Sequence, residues 1–309
     1  APDVVHIGTI HNLMGIECGE AALDSGVPVV WHLHDYWPFC RPRMLLRRED
    51  ESCPAVEGTC DNCCGLDQDS RYLGIVNRAT VVVGNAYTAA IMRRNGVRVD
   101  AVVESGVDTD AFRPSGEPLP SSVCCSNAWG SLNLIKGTHV AKRAVNGDGW
   151  VLNVITGLPR EDVPAALRRF GIYIKSSVYE ETFCLALCEA MATGLACVAS
   201  DVAGAKAQIE DGVTGLLFPN RDHLALRECV RRLRADAALR DRLGRAAREH
   251  VLAEHTLMAM GLRWERVYQQ VVTKVIWPPA GQGGSGSGLA NHNPLGTSGR
   301  PGVLSKGTP

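Results

Sequence analysis

The chain has 309 residues, 32 basic against 33 acidic, and a formal charge of −1, so no global electrostatic pull toward nucleic acid exists. Hydrophobic residues make up 45% and charged residues 21%, the balance of an ordinary globular protein with room for two cores. No apolar run approaches the roughly 18 to 20 residues of a membrane span, and the first residues lack a signal-peptide pattern. The expectation is a cytoplasmic protein with no membrane span, although peripheral membrane contact is compatible with it.

In chain order, apolar β-rich runs at Val4 to Ile7, Val27 to Leu33, Thr80 to Gly84 and Asp100 to Glu104 alternate with helical segments such as Tyr87 to Asn95. That rhythm predicts a parallel sheet covered by helices. A Pro/Gly/Ser-rich stretch, Arg113 to Ser122, interrupts it. Strands then follow near Ser122 to Ser126, Trp150 to Ile155, Ile172 to Lys175, Ala196 to Ser200 and Gly215 to Phe218. Two α/β domains are predicted, 1–114 and 115–255, followed by a helix over 256–277.

From Arg221 to Trp277 the period is helical. Nine arginines fall between Arg221 and Arg248, with Asp222, Glu228, Asp236 and Asp241 interleaved, which reads as a solvated helix face rather than an RNA-binding one. Residues 278–309 hold nine Gly, five Pro and four Ser, and read as a disordered low-complexity tail.

Twelve cysteines in a reducing compartment argue against disulfides. Cys124, Cys125, Cys184, Cys188, Cys197 and Cys229 lie in apolar runs and read as core. In the loop 40–64, Cys40, Cys53, Cys60 and Cys63 are separated by twelve, six and two residues, with Cys64 adjacent. Four thiolates there could hold a structural zinc, and unligated thiols are the competing reading.

The most telling segment is Ser176 to Gly194, which places Glu181 and Glu189 around the start of one predicted helix. Eight helical residues advance about 12 Å, comparable to the span between the two sugars of a nucleotide sugar. The amides near Phe183, Cys184 and Leu185 open that helix without intrahelical partners, at the positive end of its dipole. A diphosphate fits such a place without a metal. Asp108-Thr109-Asp110 and Asp67-Gln68-Asp69 match a short metal-binding pattern too easily met by chance, and no catalytic metal is expected.

Taken together, His32 to Cys40 (HLHDYWPFC), Glu104 to Pro114 (ESGVDTDAFRP), Lys136-Gly137, Glu180 to Gly194 (EETFCLALCEAMATG) and Ile209 to Phe218 (IEDGVTGLLF) resemble the retaining glycosyltransferases of the GT-B fold, family 4, also called group 1. The resemblance runs from Pro2 to about Tyr268. It implies two Rossmann-like domains facing across a cleft. The function it implies is a hexosyltransferase that moves a sugar from a UDP-, GDP- or ADP-sugar to a hydroxyl of a glycan or lipid-linked sugar, in glycan biosynthesis. It makes Glu189 the acceptor for the ribose hydroxyls, Glu181 a partner of the hexose, Lys136 the cation for the phosphates, and His34 a residue facing the donor sugar.

The departures carry expectations of their own. Ser131 stands where the family's phosphate-binding arginine is usual, Cys184 where a glycine is usual, and Ala203, Gly204 and Ala207 where two glycines and a glutamate are usual. The first domain resembles one that begins several elements late, so the chain reads as N-terminally truncated and its activity as impaired unless upstream residues exist. Two other readings remain open: a noncatalytic nucleotide-sugar-binding remnant, and a GT-B nucleotide-sugar epimerase.

Overall fold

The computed structural model describes residues 2–8, 15–40, 43–48, 51–60, 71–126, 132–146 and 148–276. Ser131, Cys63, Cys64, Asp67 to Asp69 and the tail 278–309 lie outside them. The first lobe runs through β1 (Val5–Ile7), α1 (Glu17–Asp24), β2 (Val29–Leu33), β3 (Leu46–Arg48), β4 (Glu51–Ser52), α2 (Arg71–Val76), β5 (Thr80–Val83), α3 (Ala86–Arg94) and β6 (Ala101–Val102). Its four-stranded parallel sheet has the order β1-β2-β5-β6. Strands covered on both faces need continuous apolar runs, and Val29, Val30, Trp31 and Leu33 of β2 and Val81, Val82 and Val83 of β5 are all buried. The small antiparallel hairpin β3–β4 falls within the cysteine-bearing loop, where no strand was predicted.

The second lobe comprises β7 (Val123–Ser126), α4 (Leu132–Ile135), α5 (Thr138–Asn146), β8 (Leu152–Ile155), α6 (Val163–Leu167), β9 (Ile172–Lys175), α7 (Leu185–Ala192), β10 (Ala196–Ser200), α8 (Ala203–Lys206) and β11 (Leu216–Phe218). The helices α9 (His223–Ala235), α10 (Ala237–Glu254) and α11 (Leu257–Ile276) follow. Its parallel sheet has the order β11-β10-β9-β7-β8. The chain enters at β7, moves outward to β8, then returns to β9 on the other flank of β7. The order therefore reverses beside β7, and the crevice at the carboxyl ends of β7 and β9 is where such sheets take ligands.

α10 packs against α7 and β10, burying Leu243, Ala247 and Val251. α11 does not continue this lobe. Its Val267 and Val271 pack on Val30, Val82 and Val103 of the first sheet, with Trp264 and Tyr268 beside them. His6 Nδ1 and the Tyr268 hydroxyl are 2.7 Å apart, which pins the helix to β1.

The arginine-rich helices are only partly the solvated face that the sequence predicts. Arg240 is buried and donates to the carbonyls of Leu233 at 2.6 Å and Leu119 at 3.3 Å. Arg248 donates to Ala192 O at 2.6 Å and Thr109 O at 3.0 Å, fastening the inter-lobe linker to the end of α7. Five guanidinium donors in a fixed fork suit that task better than a flexible ammonium would.

Cys124, Cys125, Cys184, Cys188 and Cys197 are buried, and Cys229 is half-buried against the same cores. Burial pushes the Cys125 thiol up to about 11 and keeps it protonated. Cys40 and Cys53 are packed among Trp37, Phe39 and Leu45 in the first lobe's core. Among the described residues no three His, Cys, Asp or Glu side chains group as a metal site, and no helix is long and apolar enough to cross a membrane.

Candidate functional site

Two adjoining cavities open at the carboxyl ends of the strands and share Lys136, Glu181, Phe183 and Leu185. The larger, about 880 Å³, lies between the lobes and adds His34, Asp35, Tyr36, Arg43, Met44 and Ser105 from the first. The smaller, about 390 Å³, lies within the second lobe and is closed by Ser126, Ile155, Arg160, Lys175, Ala186 and Glu189. The sequence-predicted residues Lys136, Glu181, Phe183, Leu185 and Glu189 are thus brought together. His34 joins them from across the cleft, whereas Cys184 is buried beneath the surface.

Helix α7 begins at Leu185, so Glu181 sits in the loop before it and Glu189 is the helix's fifth residue. The helix supplies only about 6 Å of their separation, half of the span that a continuous helix would give. The amides of Phe183, Cys184 and Leu185 have no acceptor among the described residues, and Cys184 makes no side-chain cap. Two of these donors, on Phe183 and Leu185, belong to residues that line both cavities, and at the positive end of a helix they make this rim a place for an anion.

Glu181 is buried, and its Oε1 is the focus of the site. Lys175 Nζ lies 2.6 Å away, Lys136 Nζ lies 3.0 Å away, and the Ser177 hydroxyl donates to the same oxygen. Burial pushes the carboxyl up, but the two lysines and the serine outweigh it and hold the pKa at about 2. Lys136 also donates to the Tyr179 hydroxyl at 2.9 Å, and burial followed by the Glu181 charge keeps that phenol un-ionised.

Close backbone contacts fix this arrangement. Gly137, at φ 69°, packs so tightly on the strand end that a Cβ there would stand 1.6 Å from the Ser176 carbonyl oxygen. Ser176 Oγ donates to Gly137 O at 2.8 Å, so the turn carrying Lys136 is seated on the segment carrying Glu181. Gly204 plays the same part from α8, where a Cβ would meet Glu181 O at 2.7 Å. The neighbouring Glu180 accepts from Ala203 N at 2.6 Å and ties that helix start to the loop.

Glu189 is buried on the inner side of α7, and burial raises its pKa against the pull of Arg160. Arg160 Nη2 stands 2.5 Å from Oε1 in an ion-pair contact that is not a well-directed hydrogen bond. The guanidinium also lies over the Phe112 ring, 5.0 Å from its centre.

Thr182 crosses the cleft. Its hydroxyl donates to His34 O at 2.6 Å, and its carbonyl accepts from the side chain of Asn85, the buried N-cap of α3. Asn85 Oδ1 meanwhile accepts from Thr88 N at 2.8 Å. Burial and then the neighbouring His34 and His6 lower the His32 pKa to about 3, so that imidazole stays neutral beneath the cleft.

Lys175, Arg160, Thr182 and Asn85 escaped the sequence reading. A lysine closing the apolar strand Ile172 to Ile174 was the one visible signal among them. Ser131 lies outside the described residues, as does Cys63 of the cysteine loop.

Residues 151–250 match the family described as glycosyl transferases, group 1. The alpha-maltose-1-phosphate synthase of Mycobacterium tuberculosis is 34% identical over 259 aligned positions, covering 63% of this chain and 66% of that one. The D-inositol 3-phosphate glycosyltransferase of Kribbella flavida is 35% identical over 119 positions, 38% of this chain and 26% of that one. The chain thus spans between 26% and 66% of these curated relatives' length. Among solved structures, Anabaena Alr3699/HepE in complex with UDP and glucose superposes with a TM-score of 0.69 at 15% identity, over 87% of this chain and 78% of that one. The sucrose-phosphate synthase of Thermosynechococcus elongatus gives 0.66 at 20% identity, over 88% and 74%. Because the matched stretch carries Arg160, Lys175, Glu181 and Glu189, and the architecture around it is that of GT-B glycosyltransferases, the chain belongs to the group 1 glycosyl transferases.

Proposed function

We propose that this chain transfers a hexose from a nucleoside diphosphate sugar to an acceptor hydroxyl with retention of configuration, and that it needs no catalytic metal. The observation that carries this reading is the convergence on one cavity of a buried carboxylate pair, Lys136 and the start of α7, where Phe183 and Leu185 bring acceptor-free amides. Glu189 takes the ribose hydroxyls once Arg160 moves aside. The diphosphate lies over the start of α7, and Glu181 orients the hexose with the oxygen its cations leave open. His34 and the first lobe face the sugar from the other side of the larger cavity.

In the reaction the bond from the sugar's anomeric carbon to the β-phosphoryl oxygen breaks, and its electron pair stays on that oxygen. The acceptor hydroxyl forms the new bond to the same carbon, and its proton passes to the departing β-phosphoryl oxygen. The charge that develops on the leaving diphosphate is what Lys136 and the helix amides stabilise. The UDP-bound neighbour makes UDP the first nucleotide to try, with GDP and ADP beside it. The acceptor proposed for the inter-lobe cavity is a hydroxyl of a glycan or lipid-linked sugar in glycan biosynthesis.

Calorimetric binding and turnover with UDP-, GDP- and ADP-sugars test the reading. Saturable binding with acceptor-dependent release of the nucleoside diphosphate supports it. Binding without release or transfer identifies a noncatalytic binder, and absence of binding to all three removes the donor assignment. Replacing Glu189 by Ala should weaken nucleoside diphosphate binding by about 1 to 3 kcal/mol, the range of buried charge-assisted hydrogen bonds.

A further inference from the structure

Lys175 is the last residue of β9, and only 8% of its side chain is exposed. Its ammonium has three donors, and among the described residues its acceptor is Glu181 Oε1 alone. That same oxygen also serves Lys136 and Ser177. One carboxylate therefore stands as the shared counter-charge of two ammonium groups, one of them nearly sealed from water. A buried cation left half-compensated is strongly unfavourable unless a further anion completes its shell.

The surroundings point to where that anion comes from. The smaller cavity presents three cations, Lys136, Arg160 and Lys175, against two carboxylates, Glu181 and Glu189. Lys175 enters it from the carboxyl end of β9, in the crevice beside β7 where the strand order reverses. Ser126 enters from the matching end of β7, and the acceptor-free amides of α7 form the same wall. No lysine is needed there to fill space, since the rest of β9 is closed by Ile172, Tyr173 and Ile174.

We propose that Lys175 is a second diphosphate-binding cation of this site, and that Glu181 holds it and Lys136 side by side so that both meet the phosphates of the donor. This rests on the nucleoside diphosphate reading of the cavity. When the sugar leaves, the electron pair left on the β-phosphoryl oxygen strengthens both contacts. Lys175 therefore contributes to turnover as well as to binding.

The test is calorimetric binding of UDP, GDP and ADP, with the parent nucleosides as controls, to the full chain and to Lys175→Met, Glu181→Gln and the double variant. Lys175→Met should lower affinity for the bound diphosphate by about tenfold or more, and nucleoside affinity by less than about twofold. Lys175→Arg should recover most of the loss. In the double variant the loss should persist, because the missing partner is the phosphate. Wild-type affinity in Lys175→Met, or recovery in the double variant, would show that Lys175 only neutralises Glu181 and would overturn the proposal. If Lys175→Met alone does not fold, the double variant, which removes one charge of each sign, decides by comparison with Glu181→Gln. A wild-type chain that binds none of the three diphosphates removes the donor reading and this proposal together. A wild type that binds, with variants unchanged, removes this proposal alone.

Discussion

Arg160 covers Glu189: its Nη2 stands 2.5 Å from Oε1, with 60% of the arginine side chain exposed and 4% of the glutamate. The carboxylate assigned to the ribose is thus already engaged by a residue that solvent can reach, and ribose and guanidinium contend for the same oxygens. Arg160→Ala should tighten nucleoside binding. Because an ion pair with one exposed partner is worth about 0.2 to 1 kcal/mol, the gain is expected to be at most about fivefold. Titration of uridine and UDP into both proteins checks it, and weaker binding in the variant would mean that Arg160 holds the ligand instead.

The Glu181 carboxyl, held at about 2 against an ordinary 4.5, makes stability pH-dependent with a definite sign. Its folded-state pKa is depressed, so its contribution is complete above about 4.5 and is lost as pH falls toward 2, amounting to at most about 3 kcal/mol. The raised pKa of Glu189 acts in the opposite direction, because its burial disfavours the ionised form that high pH demands. Urea unfolding of wild type and Glu181→Gln across pH 2 to 7 should show a stability difference that is largest at neutrality and shrinks between pH 4.5 and 2. A difference that stays constant over that window would contradict the ion-pair account.

Gly137 cannot carry a side chain. Its φ of 69° and the 1.6 Å approach of a Cβ to the Ser176 carbonyl oxygen require the turn to shift. Gly137→Ala should destabilise the chain by about 2 kcal/mol or more and displace Lys136 from Glu181. Thermal melting together with UDP titration measures both effects. An unaltered melting temperature would show that the turn relaxes freely.

Thr182 gives a way to separate binding from turnover. Removing its hydroxyl in Thr182→Val deletes the 2.6 Å bond to His34 O but touches no group in the smaller cavity. A hydrogen bond of this kind is worth about 0.5 to 1.5 kcal/mol. The expected outcome is a several-fold fall in kcat with nucleoside diphosphate affinity unchanged. Equal loss in both would place Thr182 in the donor site.

The strands were legible because a parallel sheet buried on both faces must be written as short apolar runs. Ile172 to Lys175 and Ala196 to Ser200 coincide with β9 and β10 residue for residue. Glu181 and Glu189 were singled out by their spacing and Lys136 by the family resemblance, and the fold brings the three to one cavity. The hairpin β3–β4 was not, since its residues carry no alternation and its cysteines drew attention to ligation instead. Arg240 and Arg248 were read as surface because composition cannot reveal that backbone carbonyls surround a guanidinium. Lys175 and Arg160 were missed for a related reason: Lys175 meets Glu181 across a loop that follows β9, Arg160 meets Glu189 from a separate segment, and no helical or strand period records either pairing.

Val267 and Val271 of α11 complete the core over the first sheet, so the lobe made first is finished last. During synthesis Val30, Val82 and Val103 wait for well over a hundred further residues before their cover emerges, whereas the second lobe has all of its own strands and helices by Glu254. The expected order of folding on the ribosome is therefore the reverse of the order of translation. Nascent chains halted beyond the exit tunnel should become protease-resistant in the second lobe before the first. The open face of the early sheet is then the surface most in need of a chaperone.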